Sequence, residues 1–317
     1  MTSAKFRIIH AGPLVTFQDS GRPGHMRFGV CASGPMHQAS YIAANLAAGH
    51  CTPSTAIEIS MGGLVLECIS GGVCVAIVGG EFQIECAGRK LNSGAVFTVE
   101  AGETLSIKPG KLGSWCYLSF SGTVCAPQWL GKTATHAASG FGGGILQTGQ
   151  EIHVSDCKLV TARERTIKPI EPRSNRYFRI VLGPQDQYST EQAKDNLLNA
   201  EFSLTDAYDR MGVRLSGPEL PLSNALSIPS EPIMRGSVQV SGDGIATVLL
   251  ADHQTTGGYP KIATLISSDL DDFVQMRPRD RFRFMAVTPQ SAVKIARVHA
   301  QNLKSYFDAI ESQNTRS

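Results

Sequence analysis

The richest group of polar residues in the chain stands at 251–263, where ADHQTTGGYPKIA directly follows an apolar run. An amide side chain can bind the carbonyl and the N–H of another amide, and threonine hydroxyls can donate or accept. Two adjacent glycines let a small ligand approach backbone N–H groups, and Tyr259 adds an O–H group on an apolar ring. Such a set suits a small planar substrate with carbonyl and N–H groups, and a turn alone would not need all of it. The residues predicted to contact the substrate here are Gln254, Thr255, Thr256, Gly257 and Gly258.

Two further polar clusters lie in the first half of the chain, at 17–36 and 139–144. A turn is one interpretation of each, because glycine supplies positive φ and an aspartate can close a turn with its own side chain. For the first cluster, a loop braced by Asp19 and Arg22 and a binding role are both open. For the second cluster, the turn is the favoured interpretation.

Motifs for nucleotide, metal or biotin chemistry are incomplete or missing. GKT at 131–133 matches the end of a phosphate loop, but Ala126 stands where that loop needs a glycine. The glycines of 140–144 do not form a dinucleotide-binding fingerprint, because Ile145 fills the position of its last glycine. The eight cysteines and eight histidines lack C-x-x-C and H-x-x-x-H spacing, so we predict no metal site. The chain also lacks a biotin-attachment motif of the Ala/Val-Met-Lys-Met type, so we do not expect it to carry biotin itself.

Composition places the chain among globular proteins. It has 317 residues, more than one domain usually contains, and its 42% hydrophobic and 18% charged residues differ strongly from a disordered composition. A net charge of +2, without a block of basic residues, does not indicate nucleic-acid binding. Residues 1–10 show no secretion signal, no apolar run is long enough for a membrane span, and the cysteines are scattered singly. We therefore predict a reducing, cytoplasmic location.

The elements that must position the polar clusters are mostly short strands separated by glycine-containing turns. This spacing is typical of a β-barrel or sandwich and speaks against alternating strands and helices. The predicted strands include Val73–Val78, Phe82–Cys86, Ala95–Val99, Thr104–Ile107 and Trp115–Phe120. A charged segment with two prolines at 162–176 predicts a linker. We therefore predict two domains, 1–165 and 166–317, of which the second carries the motif at 254–260 and a C-terminal helix.

Few helices are predicted. One covers 35–48, with Ser-Gly at 33–34 as its cap and Gly49 closing it in the left-handed conformation. A second begins near Ser189, where a capping-box pattern stands. A third opens at 288–289 and continues towards 307. All three are expected to lie at the periphery of the strands.

Six motifs together carry a family resemblance. They are Gln18-Asp19-x-Gly21-Arg22-x-Gly24, Gly29-Val30-x-x-Ser33-Gly34-x-Met36, Ala44-Asn45, Phe141-Gly-Gly143, Arg210-Met-Gly-x-Arg-Leu215 and Gln254-Thr-Thr-Gly-Gly-Tyr-Pro260. The chain resembles the biotin-dependent carboxyltransferase family from about residue 10 to about residue 287. That family includes the C subunit of 5-oxoprolinase, also called allophanate hydrolase subunit 2, and the carboxyltransferase domain of urea carboxylase.

The resemblance implies a mainly β fold with two cyclophilin-like β-barrel domains and a few peripheral helices. It also implies a partner from the allophanate hydrolase subunit 1, or kinase-inhibitor-like, family. In 5-oxoprolinase a lactam-utilisation subunit joins, and the complex opens 5-oxoproline to glutamate with ATP. In urea carboxylase the same module transfers a carboxyl group from carboxybiotin, carried elsewhere, to a urea nitrogen.

Side-chain chemistry and the resemblance together assign predicted roles. The predicted catalytic residues are Asp19, Asp252 and Tyr259. The residues that join 254–258 as predicted substrate contacts are Arg22, Ser33 and Arg210. Gly142 and Gly143 are predicted to contact a cofactor.

Two positions depart from the family pattern. That pattern continues Ser-Gly-x-Met-Asp, whereas here His37 follows Met36, and a usual Gly-Asp is replaced by Gly149-Gln150. If the missing acid works in the chemistry, the protein is altered or inactive, since histidine and carboxylate differ in charge and in hydrogen bonding. If the acid only caps the helix near Pro35, little changes. The capping interpretation is favoured.

Three hypotheses follow from these observations. The first is a subunit of an ATP-dependent 5-oxoprolinase or related lactamase. The second is a carboxyltransferase subunit for urea or a similar amide, served by a separate biotin carrier. The third is a regulatory binder of a kinase-inhibitor-like partner, without activity of its own. The motif at 254–260 motivates the first, and the two departures keep the third open.

Overall fold

A computed structural model describes residues 2–158, 164–170, 176–223 and 228–314. The chain divides into two compact units. The first contains Met1–Arg22, Ser33–Pro172 and Leu303–Ser317, and the second contains Pro23–Ala32 and Arg173–Asn302. Within the predicted linker at 162–176, positions 162, 163 and 171–175 lie outside the described residues.

Strands make up most of the first unit. They are β1 Ala4–Ala11, β2 Thr16–Gln18, β3 Ala56–Ile59, β4 Leu64–Ser70, β5 Gly72–Val78, β6 Gln83–Cys86, β7 Arg89–Asn92, β8 Ala95–Glu100, β9 Thr104–Lys108, β10 Cys116–Phe120, β11 Thr123–Cys125, β12 Glu151–Ser155 and β13 Arg165–Thr166. The strands predicted between 73 and 120 are confirmed, with ends that differ by one residue at most. The glycine-containing turns between them mark the boundaries because they interrupt the apolar runs.

The described strands of the first unit form two sheets that share one apolar core. Their orders are β11-β12-β1-β4-β9-β6-β7 and β13-β8-β5-β10-β3-β2. Along β1, Phe6 and Ile8 are buried while Arg7 between them is exposed, as the two-residue repeat of a strand requires. The rings of Phe6 and Phe120, one from each sheet, lie 5.4 Å apart.

Helix α1, Gln38–Ala47, packs against β5 and β10 and explains why β5 is buried along almost its whole length. It begins three residues later than predicted, and its N-cap is His37, whose Nδ1 accepts from the Ser40 amide at 3.0 Å. The predicted cap at 33–34 is wrong, because both residues have left-handed φ values whereas an N-cap residue is usually extended. Gly49 follows the helix with φ 89°, as predicted.

The second unit contains shorter strands and most of the helices. Its elements are β14 Tyr177–Leu182, α2 Glu191–Asn199, β15 Phe202–Tyr208, β16 Gly212–Ser216, β17 Glu231–Pro232, β18 Ser237–Val240, β19 Ala246–Leu249, β20 Thr256–Gly257, β21 Lys261–Leu265, α3 Ser267–Val274 and β22 Arg281–Ala286. Two short 3-10 helices cover Met26–Phe28 and Asp186–Tyr188. The long helix α4 covers Pro289–Asn314.

A closed barrel organises the second unit, with strand order β14-β21-β18-β19-β16-β15-β22. The pair β14 and β22 runs parallel, and the other neighbouring pairs run antiparallel. Phenylalanines from three strands and α3 form an aromatic core with ring centroids 5.0–6.3 Å apart. They are Phe178, Phe202, Phe273, Phe282 and Phe284.

Two helices of the second unit differ from the predictions. The N-cap of α2 is Thr190, not Ser189, and its hydroxyl accepts from the Ala193 amide at 3.1 Å. The sequence analysis missed α3, a short helix with a polar face. Asp269 of α3 accepts from the backbone and guanidinium of Arg179 in β14, so a tertiary contact fixes this helix. Short helices depend on such contacts more than on their own propensity.

The prediction of a mainly β fold with few helices is confirmed. None of the helices within the described ranges has both the length and the apolar character that crossing a bilayer requires.

Candidate functional site

A cavity of about 570 Å³ lies on the barrel of the second unit. Its volume falls in the range of small-molecule sites, roughly 300–1,000 Å³. The residues on its wall that can hydrogen-bond or bear charge include Tyr208, Asp209, Arg214, Gln239, Gln254 and Tyr259. The structure therefore brings two predicted residues, Gln254 and Tyr259, to one cavity.

The floor of the cavity is a row of cross-strand neighbours on one face of the barrel. Arg214 pairs with Thr247, and Thr247 pairs with Gln239, in the registers of β16, β19 and β18. Val213, Val238 and Val248, which alternate with the residues of this row, are fully buried in the core. Because successive side chains of a strand point to opposite faces, the row faces away from that core.

This row was missing from the predicted site. Its members come from three strands, and a sequence shows the alternation of a strand but not its register with the others. The only signal was Arg214, which stands in the Arg210-Met-Gly-x-Arg-Leu215 motif. Gln239 and Thr247 belong to none of the six family motifs.

The loop at 254–259 lies against this floor, and close packing explains its glycines. A Cβ on Gly257 would stand 2.5 Å from Cδ1 of Ile233 and 2.8 Å from Nε2 of Gln239. The Gly258 carbonyl accepts from the Ile228 amide at 3.0 Å. The glycine pair thus lets the loop approach the segment 228–233, and β20 pairs there with β17. Thr256 is exposed, and neither threonine is among the residues that line the cavity.

Asp252 and Arg210 lie behind the loop and bind each other. Oδ1 and Oδ2 of Asp252 accept from Nη2 and Nε of Arg210, each at 2.9 Å, and both side chains are about 1% exposed. The Asp252 amide also donates to the Arg210 carbonyl at 2.7 Å. Neither residue lines the cavity in the described part of the chain, so their observed contacts are those of positioning residues. Their predicted catalytic and substrate-binding roles stay predictions.

His253, between the ion pair and the loop, is nearly buried. Its Nδ1 lies 2.7 Å from the Gln254 carbonyl, an acceptor, so this nitrogen carries the proton. Burial lowers the pKa of His253, and the nearby positive charge of Arg235 lowers it further. The Gln254 carbonyl and Asp252 oppose that shift without reversing it. The histidine is therefore kept neutral, and its hydrogen bond to the Gln254 carbonyl fixes the start of the loop at 254–259.

In the first unit, Asp19 and Arg22 hold one backbone segment, 129–134. Asp19 accepts from the Gly21 and Thr133 amides, each at 2.9 Å. Arg22 donates to the Trp129 carbonyl at 3.1 Å and to the Ala134 carbonyl. Its guanidinium carbon also lies 5.1 Å from the Trp129 ring centroid. These contacts are those of a braced loop, and a role in catalysis or binding stays a prediction.

The glycines at 142 and 143 are explained by packing. A Cβ on Gly142 would stand 2.2 Å from the Ala134 carbonyl oxygen, and one on Gly143 would stand 2.6 Å from Cβ of Phe17. The Gly143 amide donates to the Thr133 carbonyl at 2.8 Å, so this N–H is already used within the chain. The predicted cofactor contact at these glycines stays untested.

A buried carboxylate that the sequence analysis missed lies beside the start of α1. Glu58, which is fully buried, accepts from the Met36 amide and from the Tyr117 hydroxyl, each at 2.7 Å. The Tyr117 oxygen in turn accepts from the His37 amide at 2.7 Å. Ser33 has φ 52°, a strained value for a residue other than glycine. Together with its cap, this network supports the capping interpretation of His37.

The amino-acid sequence of this chain matches a known protein family. The sequence profile of the family described as "Carboxyltransferase domain, subdomain A and B" matches residues 28–286. The chain belongs to this carboxyltransferase family. The resemblance drawn from the motifs is confirmed.

Individual relatives of this carboxyltransferase-family chain fall into two groups. It is 31% identical to the C subunit of the 5-oxoprolinase of Haemophilus influenzae, over 97% of this chain and 99% of that protein. It is 25% identical to the urea amidolyase of Saccharomyces cerevisiae, over 89% of this chain but only 16% of that protein. The solved urea carboxylase of Kluyveromyces lactis matches with a TM-score of 0.84 at 22% identity, over 96% of this chain and 29% of that chain. The last match shows the fold.

Proposed function

We propose that this chain is a subunit of an ATP-dependent 5-oxoprolinase-type complex and binds the cyclic amide that the complex opens to glutamate. The observation that carries the proposal is the cavity that brings Gln254 and Tyr259 together with Gln239. The near-complete alignment with the C subunit of a 5-oxoprolinase supports the choice of complex.

The cavity chemistry suits a lactam. A lactam offers one carbonyl acceptor and one N–H donor, and each glutamine side chain offers the complementary donor and acceptor. Tyr259, 46% exposed, presents a hydroxyl and an aromatic ring to the same space. In this proposal Gln239 and Gln254 orient the amide, while Tyr259 hydrogen-bonds the group on which charge develops.

We propose that partner subunits supply the other catalytic groups of the complex. The relatives that match only in part contain this module within much longer chains, which supports a module that works beside others. We propose a kinase-inhibitor-like subunit as the direct partner and a lactam-utilisation subunit as a further one. We propose that the assembled complex uses ATP.

The test reconstitutes the complex and follows ATP-dependent release of glutamate from 5-oxoproline. The variant Tyr259→Phe removes one hydrogen bond, so turnover is expected to fall roughly 2- to 10-fold. The matched control is Tyr177→Phe, an exposed tyrosine of the same unit that does not line the cavity. Equal turnover in both variants would remove Tyr259 from the proposal.

A second candidate is carboxyl transfer to urea or a similar amide, with biotin on another chain. The family match at 28–286 favours it, because that family is described by its carboxyltransferase domain. Bicarbonate-dependent, avidin-sensitive carboxylation with all partners supplied would support it over the lactamase. A stable partner complex without turnover on any amide would support the regulatory binder instead.

A further inference from the structure

Lys261 is a buried cation whose charge is poorly compensated. It is 2% exposed, and its Nζ lies 3.6 Å from Oε2 of Glu231. Among the described residues, no hydrogen-bond partner of Nζ is present. An ammonium group removed from water without hydrogen bonds is costly, so such groups are usually paired or functional.

The surroundings of Lys261 connect it to the cavity. Lys261 stands directly opposite Gln239 in the register of β21 and β18, and Gln239 lines the cavity. A register shift between Val238 and Gln239 marks a bulge beside this pair, so the pairing shows that the two residues are cross-strand neighbours. Lys261 is therefore the cross-strand neighbour of a residue of the cavity wall, although it does not itself line the cavity.

Glu231 occupies the open side of Lys261. Its side chain is 51% exposed, in contrast to the buried lysine. Gln185 fixes this arrangement, since its Nε2 donates to Glu231 at 2.6 Å and its Oε1 accepts from the Lys261 amide at 3.0 Å. The Glu231 carboxylate thus marks a place next to Nζ that a carboxylate can fill.

We propose that Lys261 binds the carboxylate of an amide substrate whose amide group is held by Gln239, and that Glu231 competes for the same place. The substrate class is then a small amide or lactam that carries a carboxylate, as 5-oxoproline does. This inference rests on the proposed function, because it takes the cavity to be the substrate site. A neutral amide such as urea would leave Lys261 unused.

The experiment measures binding to the purified full-length chain by calorimetry. The ligands are 5-oxoproline, 2-pyrrolidinone, which is the same ring without the carboxylate, N-carbamoylglycine, which is an open-chain amide with a carboxylate, and urea. For Lys261→Met, affinity for 5-oxoproline is expected to fall about 10-fold or more, because a charge-assisted contact is lost. Affinity for 2-pyrrolidinone should stay within about 2-fold.

The variant Glu231→Gln distinguishes a ligand-binding role of Lys261 from a purely structural role of the Lys261–Glu231 pair. If Glu231 competes with the ligand, this variant binds 5-oxoproline more tightly than the unaltered chain, the opposite sign to Lys261→Met. If the pair is only structural, both variants weaken all ligands alike, and the inference is overturned. Circular dichroism checks the fold of each variant. Should Lys261→Met fail to fold, tighter binding by Glu231→Gln supports the inference, and equal or weaker binding overturns it.

The ligand panel distinguishes this inference from the proposed function. Binding of N-carbamoylglycine that depends on Lys261, without binding of either lactam, would reject the lactam substrate and keep the carboxylate site. Binding of 5-oxoproline that Lys261→Met does not change would keep the proposed function and reject the site. If the unaltered chain binds no ligand with a carboxylate, the inference fails.

Discussion

Both units contain a buried aspartate and a buried arginine in or next to a family motif, but the two pairs make different contacts. In the first unit, Asp19 and Arg22 each bind backbone groups of the segment 129–134. In the second unit, Arg210 and Asp252 bind each other through two hydrogen bonds. The first pair fixes the loop at 129–134. The second pair links the turn between β15 and β16, where Arg210 stands, to the start of the loop at 254–259, and both border the cavity.

The comparison shows why residue type alone does not identify a site. All four side chains are at most 9% exposed, and their observed contacts are internal. What marks the second unit as the candidate site is the neighbouring row of polar side chains that faces a cavity. Four predictions test whether the charged pairs and the loops near them are structural.

The largest effect is expected for Arg210→Ala. It leaves the Asp252 carboxylate buried without its partner, and breaking a buried ion pair in this way costs about 3–5 kcal/mol. The matched control is Arg214→Ala, whose ion pair with Asp243 is about half exposed and worth less than about 1 kcal/mol. Urea unfolding followed by circular dichroism measures both free energies. Similar losses for the two variants would contradict the structural role of Arg210.

Gly142→Ala tests the loop that Arg22 and Asp19 hold. The new Cβ would meet the Ala134 carbonyl oxygen, so we expect a loss of about 1–3 kcal/mol from overpacking. Both tryptophans, Trp115 and Trp129, belong to the first unit, so their fluorescence during urea unfolding reports on this change.

The control for that experiment is Gly144→Ala. Gly144 also has a left-handed φ, but nothing lies within 4 Å of the position that its new Cβ would take, so only the backbone cost of about 1 kcal/mol remains. If Gly142 served only a cofactor, its variant would be no less stable than this control.

His253 gives the second unit a pH dependence. Its pKa is lowered by burial from the ordinary value of 6.5, so the unfolded chain takes up a proton before the folded chain does. The stability that this neutral histidine contributes is present above about pH 6.5 and is lost as the pH falls towards the lowered pKa. One group contributes a slope of at most about 1.4 kcal/mol per pH unit.

The measurement compares the free energy of unfolding between about pH 5 and pH 7 for the unaltered chain and for His253→Gln. The variant should show a shallower fall in stability over this range. His299→Gln is the control, because this histidine lies on α4 and is only partly buried. Parallel curves for the unaltered chain and His253→Gln would rule out the proposed contribution.

The smallest effect concerns His37. Its ring caps α1, so His37→Ala is expected to cost about 1 kcal/mol, whereas His37→Asp should retain the cap and its stability. Turnover of the reconstituted complex should be alike for His37→Asp and the unaltered chain. A large gain of turnover on introducing the acid would show that this position takes part in the chemistry.

Much of the fold could be predicted because its signals are local. The strands between 73 and 120 follow from apolar runs and glycine turns, and α4 begins at its predicted position, Pro289. The starts of α1 and α2 were misplaced because several residues near each could act as the cap, and the backbone conformation decides among them. Helix α3 was missed because its stabilising contact, Asp269 with Arg179, spans 90 residues.

The chemical types at the candidate site, and the family that contains them, could be identified from the amino-acid sequence. It supplied the amide of Gln254, the phenol of Tyr259 and the close-packed glycines, since these are properties of residues and their immediate neighbours. Contacts in the folded chain pair Asp252 with Arg210 and bring Gln239 beside Thr247 and Lys261. The physical reason is that strand register and burial arise from contacts between distant segments, which no local pattern encodes.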